Sequence, residues 1–225
     1  MVSTRTMASS ASTSAPLTHP AASLPGLPPE LSSMVLKHVF PRTAPLKVIK
    51  FGDKFRMLTR QGHGLQPGLL ALSKGFLWEG APWLYGSNTI SIATQHVSEF
   101  LQSIGEANKK LVRQLMVSPD SHLPWALREM ARCPKLGNIQ LTAGIVAPER
   151  LVCMLLPAAI KMRKTYQKNL IERLSFVPDP SYALSVALDD EEWQDDIEEE
   201  TETYAEKVLE DLRDRLARKG YSVAG

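Results

Sequence analysis

The sequence predicts an α+β fold in one domain over residues 24–179, with a helical front, a short β-containing back and a tail on each side. Three observations carry this. Leu31, Met34, Val35 and Val39 recur at helical spacing behind a proline pair. Short runs of alternating or β-branched residues, Lys47–Phe51 and Thr89–Ile92 among them, interrupt the middle of the chain. The ends differ in composition from the body. Ser, Thr, Ala and Pro dominate residues 1–23, and residues 189–225 are acidic.

A chain of 225 residues with 44% hydrophobic content can bury one core of ordinary size. Residues 1–23 offer too little apolar area to offset the entropy of ordering them, so they are expected to be disordered. The net charge of +2 conceals a split. Residues 1–188 carry 21 Lys and Arg against 10 Asp and Glu; residues 189–225 carry 5 against 14. Opposed blocks of this kind solvate a tail or fold it back onto the body. Cys133 and Cys153, the only two cysteines, both lie among apolar neighbours and form no disulfide framework. A reducing compartment, cytoplasm or nucleus, is the expected location. No apolar run is long enough for a membrane span, and the first residues lack the apolar core of a secretory signal.

Taken in order, Pro28-Pro29-Glu30 opens the first helix: proline suits the first turn, and an acid suits the positive end of the dipole. Pro41 stops it. Lys47–Phe51 reads as a strand. A glycine-rich loop (Gly62, Gly64, Pro67, Gly68) leads to a second helix over 67–81, which Pro82 to Gly86 should end. Thr89–Ile92 is the next strand. Val97–Ile104 is a helix, with Gly105 as its stop.

A weak internal repeat follows. Val112-x-x-Leu115-x-Val117 is matched by Leu136-x-x-Ile139-x-Leu141 and by Ile171-x-x-Leu174-x-Phe176, at spacings of 24 and 35 residues. Helical stretches lie between: 123–132, then 148–156 and 158–170. A strand with a short apolar signature followed by a helix, at a period in the twenties, has the look of leucine-rich-repeat units; an irregular α+β core is the alternative. Residues 189–202 read as an acidic linker. Beyond it Ala205, Val208, Leu209, Leu212 and Leu216 mark an amphipathic helix with Asp211–Arg215 and Asp214–Arg218 pairs and Gly220 at its end.

Leu27-Pro28-Pro29-Glu30-Leu31 followed by Met34-Val35 looks like the opening of an F-box. Together with LLALSKGFLWEGAPWLYGSNTISI and FLQSIGEANKKLVRQLMV, it resembles the fungal F-box-like proteins of unknown substrate. The resemblance covers about Leu24 to Val117 and continues loosely to Pro178. Its more specific element is the turn Tyr85-Gly86-Ser87-Asn88-Thr89. The chain departs from the family at Ser73-Lys74, where Cys-Arg is usual, and at Gly75, Gly80 and Trp83. The resemblance implies a non-catalytic protein–protein interaction module, a substrate-recruiting subunit of a cullin–RING ubiquitin ligase. Leu27, Pro28, Leu31, Met34 and Val35 would meet a Skp-type adaptor subunit, and the region after Val112 would face an unidentified protein client. The competing reading packs the same helix residues on the second helix of their own domain. Tyr85, Gly86, Asn88 and Thr89 are expected to form a structural corner, with Gly86 supplying a positive φ.

Other chemistries find little footing. His19, His38, His63, His96 and His122 are scattered, with no metal-ligand spacing. Neither a nucleophile elbow nor a phosphate-binding glycine loop occurs. The chain is therefore expected to be no enzyme and to need no cofactor. Two basic stretches could touch phosphates: Lys47, Lys50, Lys54, Arg56 and Arg60, and Lys161, Arg163, Lys164, Lys168 and Arg173. Neither has a recognised nucleic-acid-binding motif, so nucleic acid is not the expected partner. Three further readings remain: a solvated face; a dock for the acidic tail, in which case the chain would be a scaffold whose tail regulates its basic surface; and a nucleic-acid-associated factor.

Overall fold

The structure, a computed structural model, describes residues 28–40, 44–59, 64–65, 74–179 and 192–221. The expectations for residues 1–23 and for Leu27 lie outside these. The elements run α1 (Pro29–Val39), β1 (Leu46–Phe51), β2 (Lys54–Leu58), β3 (Gly64–Leu65), α2 (Lys74–Gly86), β4 (Thr89–Ile92), α3 (Val97–Ser103), α4 (Gly105–Lys109), β5 (Gln114–Val117), α5 (Leu123–Met130), β6 (Asn138–Thr142), α6 (Pro148–Tyr166), β7 (Leu174–Val177) and α7 (Glu192–Arg218).

The described strands form one sheet in the order β3-β2-β1-β4-β5-β6-β7. β1, β4, β5, β6 and β7 are parallel neighbours; β2 and β3 join antiparallel at the front. The parallel strands advance across the sheet in chain order, without reversal. Right-handed crossovers then place all the connecting helices on one face. Neighbouring helices accordingly pack in sequence, α3 on α5, α5 on α6, and α6 on α7. Helices and strands are thus mixed as expected. They alternate along the chain rather than segregating, so the predicted α+β arrangement is corrected to α/β.

Register explains why the alternating runs became strands. Leu46, Ile90, Leu115, Ile139 and Leu174 stand opposite one another on successive strands, and all are buried under the helices. Val117, Leu141 and Phe176 form a second row. The residues between these point the other way. Lys47, Ser91, Met116, Gln140 and Ser175 make one cross-strand row there, and Thr89, Gln114 and Asn138 another. Slipping any strand by one residue would exchange the two sets, so burial of the apolar rows fixes the register.

Several sequence expectations need correction. The second helix does not stop at residue 81: α2 continues through Pro82 to Gly86. The stretches 148–156 and 158–170 are one helix, α6, with Pro157 inside it. Both prolines are exposed, so each ring projects to solvent and costs the helix one hydrogen bond rather than its packing. The strand after Lys47 continues into a hairpin. Gly52, at φ +59°, occupies the first central position of the two-residue turn before β2, a place where glycine is favoured. Cys153 is exposed rather than apolar-lined, its sulfur accepting from Arg215 Nη1 at 3.3 Å, whereas Cys133 is buried. Gly105 (φ +78°) does end α3, and the chain turns at once into α4.

The C-terminal segment departs furthest from expectation. Residues 192–202 are not linker; they are the first turns of α7. Val208, Leu212 and Leu216 of this helix are buried in the same apolar cluster as the strand ladder. Phe176 and Tyr204 meet edge to face at 5.9 Å, and the Tyr204 hydroxyl donates to the Val146 carbonyl at 2.5 Å. Arg215 and Asp211 form the predicted pair, doubly bonded at 2.8 Å. At the end Gly220 (φ +80°) lets the Tyr221 amide reach back to the Leu216 carbonyl at 3.0 Å, a Schellman cap.

If α7 completes the core, Leu212→Ala will cost about 2–5 kcal/mol in urea unfolding, the usual cost of emptying a fully buried leucine site. The exposed Asp214→Ala should stay within about 0.5 kcal/mol. A Leu212→Ala loss below about 1 kcal/mol would mark α7 as a detachable tail.

Candidate functional site

α1 is held by its second half. Leu36 and Phe40 are fully buried, and the helix packs on α2. These two residues lie four apart on one side. The other side carries Leu31, 47% exposed, and Met34, 57% exposed, one turn apart. Val35 is half-buried and Pro28 exposed. Leu31 and Met34 are therefore not core residues, which corrects the reading that buried them within their own domain. Single exposed apolar side chains are ordinary; two large ones on adjacent turns, beside an exposed proline, make a small apolar patch. Glu30 and Lys37 border it.

The Tyr85–Thr89 corner is structural. Asn88 is fully buried, and its Nδ2 donates to the carbonyls of Trp83 and Leu84, each at 2.9 Å, closing the C-terminus of α2. Tyr85 is buried in the last turn, where burial pushes its hydroxyl up to about 12. Thr89 Oγ1 donates to Gln114 Oε1 at 2.7 Å, tying β4 to β5. Gly86 does not have the positive φ expected of it. A Cβ there would meet the Leu111 carbonyl oxygen at 3.4 Å, an ordinary contact, so neither backbone angle nor space demands glycine at this position. Trp83 packs half-buried against the core, and no side-chain description extends to Trp78.

The face of the sheet opposite the helices is polar and at least partly accessible. Besides Thr89–Gln114, Ser175 Oγ donates to Asn138 Oδ1 at 2.8 Å, so two cross-strand pairs pre-order the side chains of this face. Met116 lies among them, half-buried. No sequence pattern marked these residues as a surface; each was only the polar position of an alternating run.

The two basic stretches are partly committed to structure. Lys50 pairs with Glu99 at 2.7 Å, and this hydrogen bond holds the Glu99 carboxyl below its usual range. Arg56 lies over the Phe51 ring at 5.2 Å. In the second stretch Lys168 Nζ donates to the carbonyls of Cys133 and Pro134, and Arg173 donates to that of Leu136. Lys164 stands over Tyr221 at 5.6 Å. Lys161 is exposed.

The acidic segment does not cover this second stretch. Tyr204 meets Val146 and Lys207 pairs with Glu149 at the start of α6, while Tyr221 meets Lys164 near its end. α6 and α7 therefore run in the same direction. The acidic residues 195–202 precede Tyr204 and extend past the start of α6. α6 has 19 residues, so its two ends are about 28 Å apart. That exceeds a Debye length of about 8 Å at physiological salt several-fold, so the acidic turns do not screen Lys161 and Lys164.

Among the described residues no group of three or more His, Cys, Asp and Glu could hold a metal ion. His38 and His122 are exposed and His96 is half-buried, each apart from the others. No helix among the described residues is long and apolar enough to cross a membrane. No protein family, curated protein or solved structure matches this chain.

Removing both hydrogen bonds at the end of α2 by Asn88→Ala should cost about 1–3 kcal/mol, read by thermal or urea unfolding. A pH effect follows from Cys133. Burial first, tempered by Lys109 and Lys168, raises its thiol from about 9 to about 11. The unfolded chain then loses this proton before the folded chain does, so stability present below about pH 9 drains away as pH climbs toward 11. Cys133→Ala should abolish that part of the decline, while Tyr85 and Tyr204, both raised to about 12, still act at higher pH.

Proposed function

We propose that this chain is a non-catalytic protein–protein interaction module with an F-box-like front, serving as a substrate-recruiting subunit of a cullin–RING ubiquitin ligase. The observation that carries the reading is the division of labour on α1. Leu36 and Phe40 anchor the helix, and Leu31 and Met34 stay outside, where a Skp-type adaptor subunit could bury them. Burying a leucine or methionine stabilises an interface by about 1.5–3 kcal/mol, so this pair can anchor a contact but needs neighbouring residues to make it tight. Leu27 and Pro28 are assigned to the same contact, with Val35 at its margin.

The back of the chain is read as leucine-rich-repeat-like. In-order parallel strands, each followed by a helix on the same face, support that reading, and the uncovered polar face is the surface assigned to a client. The competing scaffold reading, in which the acidic tail masks a basic surface, finds no support at the second basic stretch, from which the acids 195–202 are separated along α6. The chain is placed inside the cell on this reading, since the ligase machinery works there.

The adaptor contact is tested by mixing purified chain with a purified Skp-type adaptor. Binding should appear in the wild type and fall at least about tenfold, or about 1.4 kcal/mol, in Leu31→Asp with Met34→Asp. Both positions are exposed, so the double variant should keep its unfolding midpoint. Absence of binding by the wild type, or equal binding by the double variant, overturns the proposal.

A further inference from the structure

A cleft of about 360 Å³ opens where β6 and β7 end, between their exit loops and the first half of α7. Ile145, Pro178, Ile197 and Tyr204 give it apolar walls, and Asp179 and Glu200 stand among them. Ile145 is 45% exposed, so its side chain is open to the cleft. The cleft lies at the carboxyl ends of β6 and β7, beside the loops that leave them.

Among the described residues, the stretch of α7 beside this cleft is acidic. Asp195, Asp196, Glu198, Glu199 and Glu202 surround Glu200 on α7, all exposed, and none is in an ion pair with another described residue. They repeat at i, i+4 (Asp195 with Glu199, Asp196 with Glu200, Glu198 with Glu202), a spacing at which like charges oppose helix formation. The helix dipole compensates acids in the first turn only, which leaves Glu198 to Glu202 uncompensated. Further along the same helix the pattern changes: Asp211 has Arg215. The cations near the cleft do not correct the imbalance. Lys207 is engaged by Glu149 at 3.4 Å, and the exposed Arg150 pairs with none of these acids.

We infer that this cleft is a docking site for a cationic segment of a client protein, a Lys- and Arg-rich stretch that seats one apolar side chain against Ile145 and Ile197. The acids attract the segment and the apolar walls set its register, a division in which charge governs encounter and burial governs residence. The inference rests on the reading of the chain as an interaction module, and it is independent of the adaptor contact at α1, which uses other residues.

The probe is a fluorescein-labelled peptide of fifteen residues, about half Lys and half Arg around a central Leu, followed by anisotropy on the full chain. Its Leu→Ser counterpart and an all-Glu counterpart are the controls. The Leu peptide should bind at least about fivefold tighter than the Ser peptide, and its affinity should fall about tenfold between 50 and 200 mM salt. Glu200→Lys should weaken binding of both cationic peptides about tenfold. Ile145→Asp should remove the preference for Leu over Ser, since it replaces the apolar wall. Both positions are accessible, so both variants should unfold at the wild-type midpoint. Leu31→Asp with Met34→Asp should leave peptide binding unchanged, which separates failure here from failure at the adaptor. Equal binding of the Glu peptide, or indifference to both cleft variants, overturns the inference. So does self-association of the chain that Glu200→Lys abolishes without any peptide binding, since the cleft would then belong to a second copy.

Discussion

The in-register column Leu46, Ile90, Leu115, Ile139 and Leu174 sets the terms for everything else in this molecule. Because one face of every parallel strand is apolar at the same height, every connection has to bring a helix over that face. Because the strands advance in one direction, no connection can cross to the other side. The uncovered face, the single helical layer and the two differently charged ends are consequences. Each helix delivers the chain back to the start of the next strand, so the cations favoured near helix C-termini collect at that end. Arg132, Lys164, Arg218 and Lys219 are examples.

The same constraint explains why α7 belongs to the body. β7 is the last strand, and without a covering element Leu174 and Phe176 would face water. Val208, Leu212 and Leu216 supply the cover, and the Tyr204 bond to Val146 fixes where the helix begins to pack. Before that point Ile197 faces the cleft and the acids from Asp195 to Glu202 are exposed to solvent.

Strands were legible in the sequence because period-two alternation is a direct record of a two-faced sheet, as Thr89–Ile92 and Lys47–Phe51 illustrate. The helix behind the acidic stretch was legible from Val208, Leu212 and Leu216 for the same kind of reason. Its start was not: residues 192–202 hold one aliphatic side chain, Ile197, and periodicity has nothing to register there. Pro82 and Pro157 misled because a proline ring that faces solvent leaves no trace in sequence that separates it from a true break. The sequence marked Leu31 and Met34 as one face of a helix, but a face has no label saying what covers it. That required the positions of Leu36 and Phe40. The cleft was invisible, since Ile145 and Ile197 are 52 residues apart and each is unremarkable alone.

The two borders of the sheet are built differently. At the front the chain reverses at Gly52, so that β2 runs against the parallel strands, and β3 reverses again beside it. At the back α7 lies across β7. Duplication of a strand–helix unit would be accommodated in the interior, between β4 and β7, where both neighbours already offer a parallel partner and an apolar column to continue. The 36-residue step from β6 to β7, against 24 and 25 for the two before it, places the slack of the architecture in that interval. Length variation among descendants of this chain should therefore accumulate there and spare the hairpin and the final helix.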